Sequence, residues 1–141
     1  MNMLKGKEKG GRWLGPVDEA QVVAAEEALG LVFPAEYRAF LLQYGSGILG
    51  THEIYGLGSK PNGVPNILWL VEDLKKAGLN RPPQVVPFHA EGDGDYSAIL
   101  AAPLASRPTG AIVYWSPRRD DVLDIRPAYD SLEDWFATRC G

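Results

Sequence analysis

The segment LVFPAEYRAFLLQYGSG, residues 31–47, contains the pattern that decides the fold. Its proline suits the first turn of an α-helix, because the fixed φ is helical and the missing N–H would have no partner there. Large side chains then follow at the i, i+3, i+4 and i+7 spacing of one helical face, at Tyr37, Phe40, Leu41 and Tyr44. A short helix with aromatic rings on one face is unstable in water, so we expect it to be the centre of the core.

The residues that flank this helix define its ends. Pro34 marks the start, and Phe33 before it is a further core candidate. Gly45 and Gly47 should end the helix, since glycine adopts left-handed conformations without steric cost. The run GSGILG also matches the dinucleotide-binding pattern G-x-G-x-x-G, but that pattern requires a strand before it and a helix after it. Here the predicted helix comes first, which favours helix termination over nucleotide binding.

Two further helices are predicted in the first half of the chain. One begins at Asp18, where Gln21 completes a capping box, and ends at Gly30. The other follows Asn66 and carries apolar side chains at helical spacing as far as Leu74. Its first residues, ILWLV, are also compatible with a buried strand, and the continued spacing favours the helix. Residues 51–57 are predicted to be a strand, and residues 59–65 a loop.

The second half of the chain has the pattern of a sheet closed by a helix. Short apolar runs separated by Gly-, Pro- and Asp-rich turns predict antiparallel strands at 85–88, 96–101, 111–115 and 122–125. Ser131 and Asp134 resemble a capping box for a last helix. We expect the core to include Trp115, Trp135 and Phe136. Helices followed by strands predict one α+β domain: an N-terminal helical hairpin and further helices around a mixed or mainly antiparallel sheet, with a closing C-terminal helix.

Charge is distributed unevenly along the 141 residues, whose net charge is −4. Residues 1–12 carry a net +3 and are predicted to be a flexible basic tail, which leaves a domain at 13–141 with ten basic and seventeen acidic side chains. This domain should repel nucleic acid and favour a protein partner with a basic surface.

No apolar run approaches the roughly 20 residues that span a bilayer. The single cysteine, Cys140, excludes an intramolecular disulfide, so a cytoplasmic location is expected.

Acidic residues cluster in two loops of the predicted sheet. Alternate carboxylates in a glycine-rich loop can hold Ca²⁺, but the glycine and glutamate that complete such a loop are missing, so no metal or cofactor is predicted. If the two loops lie at one edge of the sheet, they form an acidic surface for a partner. The predicted contact residues are Glu91, Asp93, Asp95, Asp120 and Asp121.

Residues with nucleophilic or acid–base chemistry are few. His52, His89 and Cys140 make neither a zinc quartet nor a convincing Cys–His pair. The sequence therefore predicts that the chain is not an enzyme. A small hydrolase or ligand-binding domain that uses His52 or His89 is kept as an alternative from another class.

Several segments, from Trp13 to Phe136, resemble the SUKH superfamily with its Smi/Knr-like domain. The most distinctive run extends from Glu26 to Gly47, and the remaining segments are Val-Pro-Phe at 86–88, Gly-Asp at 94–95, residues 110–115 and residues 131–136. Phe33 stands where leucine is usual, and Ser46 replaces a frequent glycine. The resemblance implies an α+β domain without catalytic residues. Bacterial members are thought to be immunity proteins that neutralise toxins, often nucleases, and fungal relatives are regulatory scaffolds.

The resemblance and the acidic domain lead to one functional hypothesis with one close alternative. We expect a non-enzymatic immunity protein that binds a toxin, of which nucleases are one class. The alternative is a regulatory scaffold with an endogenous protein partner, and a gene neighbourhood without a large modular toxin would favour it.

Overall fold

The computed structural model describes Leu4 and residues 10–58, 65–119, 121–123 and 129–140, with residues 121–123 described by their backbone. Within these residues the chain forms four α-helices and seven β-strands. Their order is β1 (Gly11–Trp13), α1 (Glu19–Leu29), α2 (Ala35–Tyr44), β2 (Gly47–Leu49), β3 (His52–Ile54), α3 (Ile67–Lys76), β4 (Val85–Ala90), β5 (Tyr96–Leu100), β6 (Ile112–Ser116), β7 (Asp121–Leu123) and α4 (Leu132–Arg139). The predicted α+β class is confirmed.

Helix α2 is the centre of the core, as its spacing predicts. Tyr37, Phe40 and Leu41 are completely buried, and Tyr44 is almost so. The Phe40 ring lies 6.0 Å from Trp13 and 5.9 Å from Phe136, measured between ring centroids. A single helix face therefore packs against both the N-terminal strand and the C-terminal helix, which joins the two ends of the domain.

The buried hydroxyl of Tyr37 is satisfied by one hydrogen bond. It donates to the backbone carbonyl of Tyr55, just after β3, at 2.8 Å. Burial raises the pKa of Tyr37 far above its usual value, so the ring stays neutral. The bond fixes the position of α2 relative to the chain that leaves the first sheet.

The backbone crosses itself closely where α2 ends. Gly45 has a φ of 74°, and a Cβ there would overlap the carbonyl oxygen of Gly15. A Cβ on Gly56 would overlap the carbonyl oxygen of Gly45. The N–H of Leu57 donates to that same carbonyl at 2.9 Å. Glycine is needed here because three backbone segments approach one another more closely than side chains allow.

The local signals for α1 and α3 are confirmed. The side chain of Asp18 accepts a hydrogen bond from the Gln21 N–H, and the Gln21 side chain returns a bond to the Asp18 N–H. Gly30 ends α1 in the left-handed conformation. Asn66 caps α3 by accepting from two backbone N–H groups, so ILWLV is helical rather than extended.

The strands form two small antiparallel sheets, in the orders β1-β2-β3 and β4-β5-β6-β7. The sheets meet where the Tyr55 N–H donates to the Phe88 carbonyl at 2.7 Å. Every residue of β6 is buried, and so are Val85 to His89 of β4. The core therefore lies on both faces of the second sheet, which explains why these strands read as continuous apolar runs.

The first sheet was only partly predicted. The strand expected at 51–57 is confined to His52–Ile54, and its hairpin partner β2 lies in the glycine-rich run that ends α2. Strand β1 begins at Gly11, inside the segment predicted to be a tail, and Leu4 is buried. The predicted loop residues 59–64 lie outside the described residues.

Helix α4 is capped by two side chains from different parts of the chain. Ser131 accepts from the Asp134 N–H, as the predicted capping box requires. In addition, the Glu36 carboxylate of α2 accepts from the N–H groups of Leu132 at 2.8 Å and Glu133 at 3.3 Å. A carboxylate at a helix N-terminus is favourable because it satisfies free N–H groups and complements the helix dipole.

We expect Tyr37→Phe to lower the free energy of unfolding by about 1–3 kcal/mol, because it leaves the buried Tyr55 carbonyl without its donor. Urea denaturation followed by fluorescence measures this change. Tyr96→Phe is the matched control, since it removes a hydroxyl from a half-buried ring and should change stability by less than about 0.5 kcal/mol. Equal effects of the two changes would contradict the role given to the Tyr37 bond.

Candidate functional site

The β4–β5 connection, residues 91–95, contains three of the predicted contact residues and is called the acidic turn below. Two backbone-directed bonds close it: the Glu91 N–H donates to the Asp95 carbonyl at 2.9 Å, and Asp93 Oδ1 accepts from the Asp95 N–H at 3.0 Å. Gly92 and Gly94 adopt positive φ angles of 91° and 94°. Asp93 is exposed, whereas Asp95 is buried. The turn is thus a compact loop on which Asp93 is exposed.

The second acidic loop lies at the same end of the sheet as the acidic turn. Tyr96 pairs with Trp115, and Ser116 pairs with Asp121, so the start of β5 and the β6–β7 connection are neighbours. Asp121 is the first residue of β7 and is described by its backbone, while Asp120 lies outside the described residues. The proximity of the two loops, on which the predicted acidic surface depends, is therefore found in the backbone.

Basic side chains also occur at this end of the sheet. A short 3₁₀ turn, Pro117–Arg119, connects β6 to β7. Arg118 and Arg119 are exposed, and Arg118 Nε lies 3.8 Å from the point where a Cβ on Gly94 would stand. The surface therefore carries both signs of charge, whereas the sequence pattern predicted an acidic one.

Glu91 lies at the centre of a hydrogen-bonded cluster beneath the acidic turn. Its side chain is only 9% exposed. One carboxylate oxygen accepts from the Ser97 hydroxyl at 2.6 Å, and the other accepts from Arg139 Nη2 at 2.7 Å. Arg139 also donates to the Tyr114 hydroxyl at 3.0 Å, and Trp135 Nε1 donates to Ser97 at 3.1 Å. This cluster fastens the acidic turn to β5, β6 and the end of α4.

The charges in the cluster stabilise each other. Burial alone would lower the pKa of Arg139, but the hydrogen bond and the charge of Glu91 raise it above its usual value. The Arg139 guanidinium also lies over the Trp135 ring, 5.5 Å from its centroid. Arg139 therefore keeps its charge at the C-terminal end of α4, where a cation complements the helix dipole.

The rings of His52 and His89 lie in contact beside this cluster, tilted by 58° to each other. Their ring centroids are 5.2 Å apart, and Trp135 packs against both rings. His89 Nδ1 lies 2.9 Å from the Glu53 carbonyl, which can only accept, so this nitrogen carries the proton. Burial lowers the pKa of His89, against the opposing effects of the Glu53 carbonyl and the Glu91 carboxylate. His89 is therefore neutral at pH 7.

Ser97, His89 and Glu91 are residue types of a catalytic triad, but they are not arranged as one. The completely buried Ser97 hydroxyl donates to Glu91 rather than to a histidine, so it lacks the histidine base of a triad. His89 Nε2 lies 3.8 Å from Glu91. Among the described residues, no group of three His, Cys, Asp or Glu side chains could hold a metal ion. This geometry suits a structural cluster that positions a surface loop.

Sequence reasoning missed the partners of Glu91. The sequence could have indicated that Ser97 has a buried partner, because it is a polar residue inside the apolar run YSAIL. No pattern indicates that Arg139 or Tyr114 contacts Glu91, since they lie 48 and 23 positions from it along the chain.

We expect Arg139→Met to lower the free energy of unfolding by about 1.5–3 kcal/mol, because it leaves the buried Glu91 carboxylate without its charged donor. Urea denaturation at pH 7 measures the loss. Arg38→Met is the control: Arg38 pairs with Glu19, whose side chain is 61% exposed, and lies 3.7 Å from the more buried Glu26, which keeps a bond from the Phe33 N–H, so this change should cost less. The ion pair would have no special role if both variants lost the same stability.

The lowered pKa of His89 predicts a pH dependence. The unfolded chain binds the histidine proton near pH 6.5, before the folded chain does, so the free energy of unfolding should fall as pH drops from 7.5 to 5.5. His89→Gln should show a smaller fall over this range. Both proteins keep His52, so His89 is the histidine that differs between them. Parallel stability curves for the two proteins would argue against the buried neutral His89.

No helix among the described residues is long and apolar enough to cross a membrane. No curated protein matches the chain. A crystal structure of a protein from Pseudomonas syringae pv. tomato matches with a TM-score of 0.73 and 19% identity, over 96% of this chain and 94% of the other. At this identity the match supports the fold alone.

A family model described as SMI1-KNR4 cell-wall, SUKH_5, matches residues 1–139. The match extends over nearly the whole chain and includes the α2 motif, the acidic turn and the closing helix. The protein therefore belongs to the SUKH_5 family of SMI1-KNR4 domains.

Proposed function

We propose that this protein is an immunity protein that binds a bacterial toxin and neutralises it without catalysis. The observation that carries the proposal is membership of a family associated with immunity proteins in toxin systems, whose domains are generally not catalytic. In this role the protein acts in the cytoplasm, where it meets a toxin delivered by a competing cell. Its action is to cover the toxin's active site or an adjoining surface.

The charge of the domain supports a toxin with a basic surface. Residues 13–141 contain ten basic and seventeen acidic side chains. A nuclease is one such toxin, because its active site must hold phosphate groups and is therefore positively charged. Opposite charges on the two proteins would accelerate association and orient the encounter.

The acidic turn and the adjoining β6–β7 connection are the proposed contact surface. Asp93 is the residue we expect to touch the partner directly, because it is exposed at the tip of the turn. Glu91 and Asp95 would contribute mainly by shaping the turn, since one is bonded to Arg139 and the other is buried. Asp120 and Asp121 complete the proposed surface. A loop held in place before binding loses little entropy when the complex forms.

A regulatory scaffold is the second candidate. It is favoured by the description of the family model, which names the cell wall. In that case the partner is an endogenous protein, and the gene has no toxin beside it.

We expect Asp93→Lys to weaken binding to the toxin domain encoded beside the gene by about tenfold or more, because it reverses a charge at the contact surface. Isothermal titration calorimetry measures the affinity, and survival of cells that co-express the toxin measures protection. Asp130→Lys is the matched control. It makes the same change next to Tyr129, which pairs with Ile112 at the other end of β6.

The two parts of this proposal fail in different ways. If the wild-type protein neither binds the toxin domain nor protects cells, the immunity function is wrong. If it does both and Asp93→Lys binds as tightly as Asp130→Lys, the function stands and the contact surface lies elsewhere.

A further inference from the structure

The outer face of α1 is unusually apolar for a surface helix. Val22 and Ala25 point into the core, yet Val23, Ala24 and Ala28 are exposed on the other side. Val23 has 40% of its surface exposed, and Val32, just after the helix, has 72% exposed. Single exposed valines are ordinary, whereas exposed apolar residues that lie together form a patch on which a partner can pack.

The two valines border one groove. It has a volume of about 390 Å³, and Gly30 and Leu31 line it together with both valines. We call it the valine groove. Two further depressions of about 270 and 280 Å³ adjoin α1, the first beside Ala24 and the second beside Ala28. The helix therefore stands between hollows on the surface, and its alanines allow another helix to approach closely.

The rim of the valine groove is acidic. Residues 18–30 contain four acidic side chains and no lysine or arginine. Arg38 pairs with Glu19 and approaches Glu26 at 3.7 Å, and Glu26 also accepts from the Phe33 N–H at 2.8 Å. Glu27 lines the groove and is exposed. Among the residues that line the groove, Glu26 and Glu27 are acidic and none is basic, so a basic partner is complementary there, whereas two copies of the groove would bring like charges together.

This face is separate from the acidic turn. Arg81 donates to the Leu29 carbonyl at the end of α1 and to the Val85 carbonyl at the beginning of β4, both at 3.0 Å. The acidic turn follows Ala90, at the opposite end of β4. The strand between them spans roughly 17 Å at about 3.3 Å per residue. A partner could therefore contact one surface without the other.

We propose that the outer face of α1 and the valine groove form a docking surface for an α-helix of a protein partner, with apolar side chains flanked by lysine or arginine. An apolar side chain of that helix fills the groove between Val23 and Val32, and its cations lie against Glu27 and the neighbouring acids. The identification of this partner with a toxin rests on the proposed function; the chemistry of the surface does not.

A synthetic peptide tests the surface directly. The probe is a 21-residue amphipathic helix with leucines on one face and lysines beside them, titrated into ¹⁵N-labelled protein. We expect amide shifts in α1 and residues 30–32. The double variant Val23→Arg and Val32→Arg should weaken binding by about tenfold or more. Thr138→Arg, an exposed site on α4, is the matched control and should bind as the wild type does. A peptide with glutamates in place of the lysines should bind more weakly.

Several outcomes would overturn the proposal. These are an absence of binding, shifts confined to the acidic turn, or equal affinity for the double variant and the control. Sedimentation velocity tests whether a second copy of this chain occupies the surface instead. A wild-type dimer that is lost in the double variant would show that it does. Circular dichroism of the double variant confirms that it is folded, since both sites are exposed.

Binding of the toxin domain separates this inference from the proposed function. If the toxin domain binds the wild-type protein and the double variant equally, the immunity function stands and the docking surface is wrong for that partner. If the lysine peptide binds at α1 while the toxin domain does not bind at all, the docking surface stands and the proposed function fails.

Discussion

The hydrogen bond from Tyr37 to the Tyr55 carbonyl is the constraint on which the rest of the structure depends. Burying a hydroxyl is costly unless it is bonded, so α2 has one favourable position relative to the chain after β3. That position brings Phe40 between Trp13 and Phe136. The aromatic face supplies the hydrophobic driving force, whereas the hydroxyl selects one arrangement among the many that would bury the same rings.

What the sequence could predict depends on whether an interaction joins residues that are close together or far apart in the chain. Asp18, Asn66 and Ser131 cap helices through bonds to residues two or three positions away, so short patterns identified all three. Strands β1 and β2 have only three residues each and contain glycine. Their extended conformation is imposed by pairing with each other and with β3, and this pairing cannot be predicted from the strand propensities of their own residues. Strands β4, β5 and β6 were predictable because strands that are buried on both faces have continuous apolar sequences.

In the candidate site, too, the local feature was predictable from the sequence and the distant contact was not. The glycines and aspartates of residues 91–95 indicated a turn, and the structure has one. The sequence grouped Glu91 with the solvent-exposed acids because its cation, Arg139, lies on the last helix. An acidic residue therefore had two possible roles, as a surface charge or as half of a buried pair. The choice depended on a contact between segments far apart in the chain. Family membership adds what physical reasoning on one chain could not supply, namely the association with immunity proteins.

The late position of α4 in the chain affects how the domain folds during synthesis. Its N-terminal N–H groups are satisfied by Glu36, 96 positions before Leu132, and its aromatic residues fill the centre of the core. Eight residues are too few for a stable isolated helix. While the ribosome still holds α4 in its exit tunnel, the emerged chain therefore has an open core and an unfilled acceptor at Glu36. The core closes only after this late segment has emerged, so its apolar surface is exposed during part of synthesis.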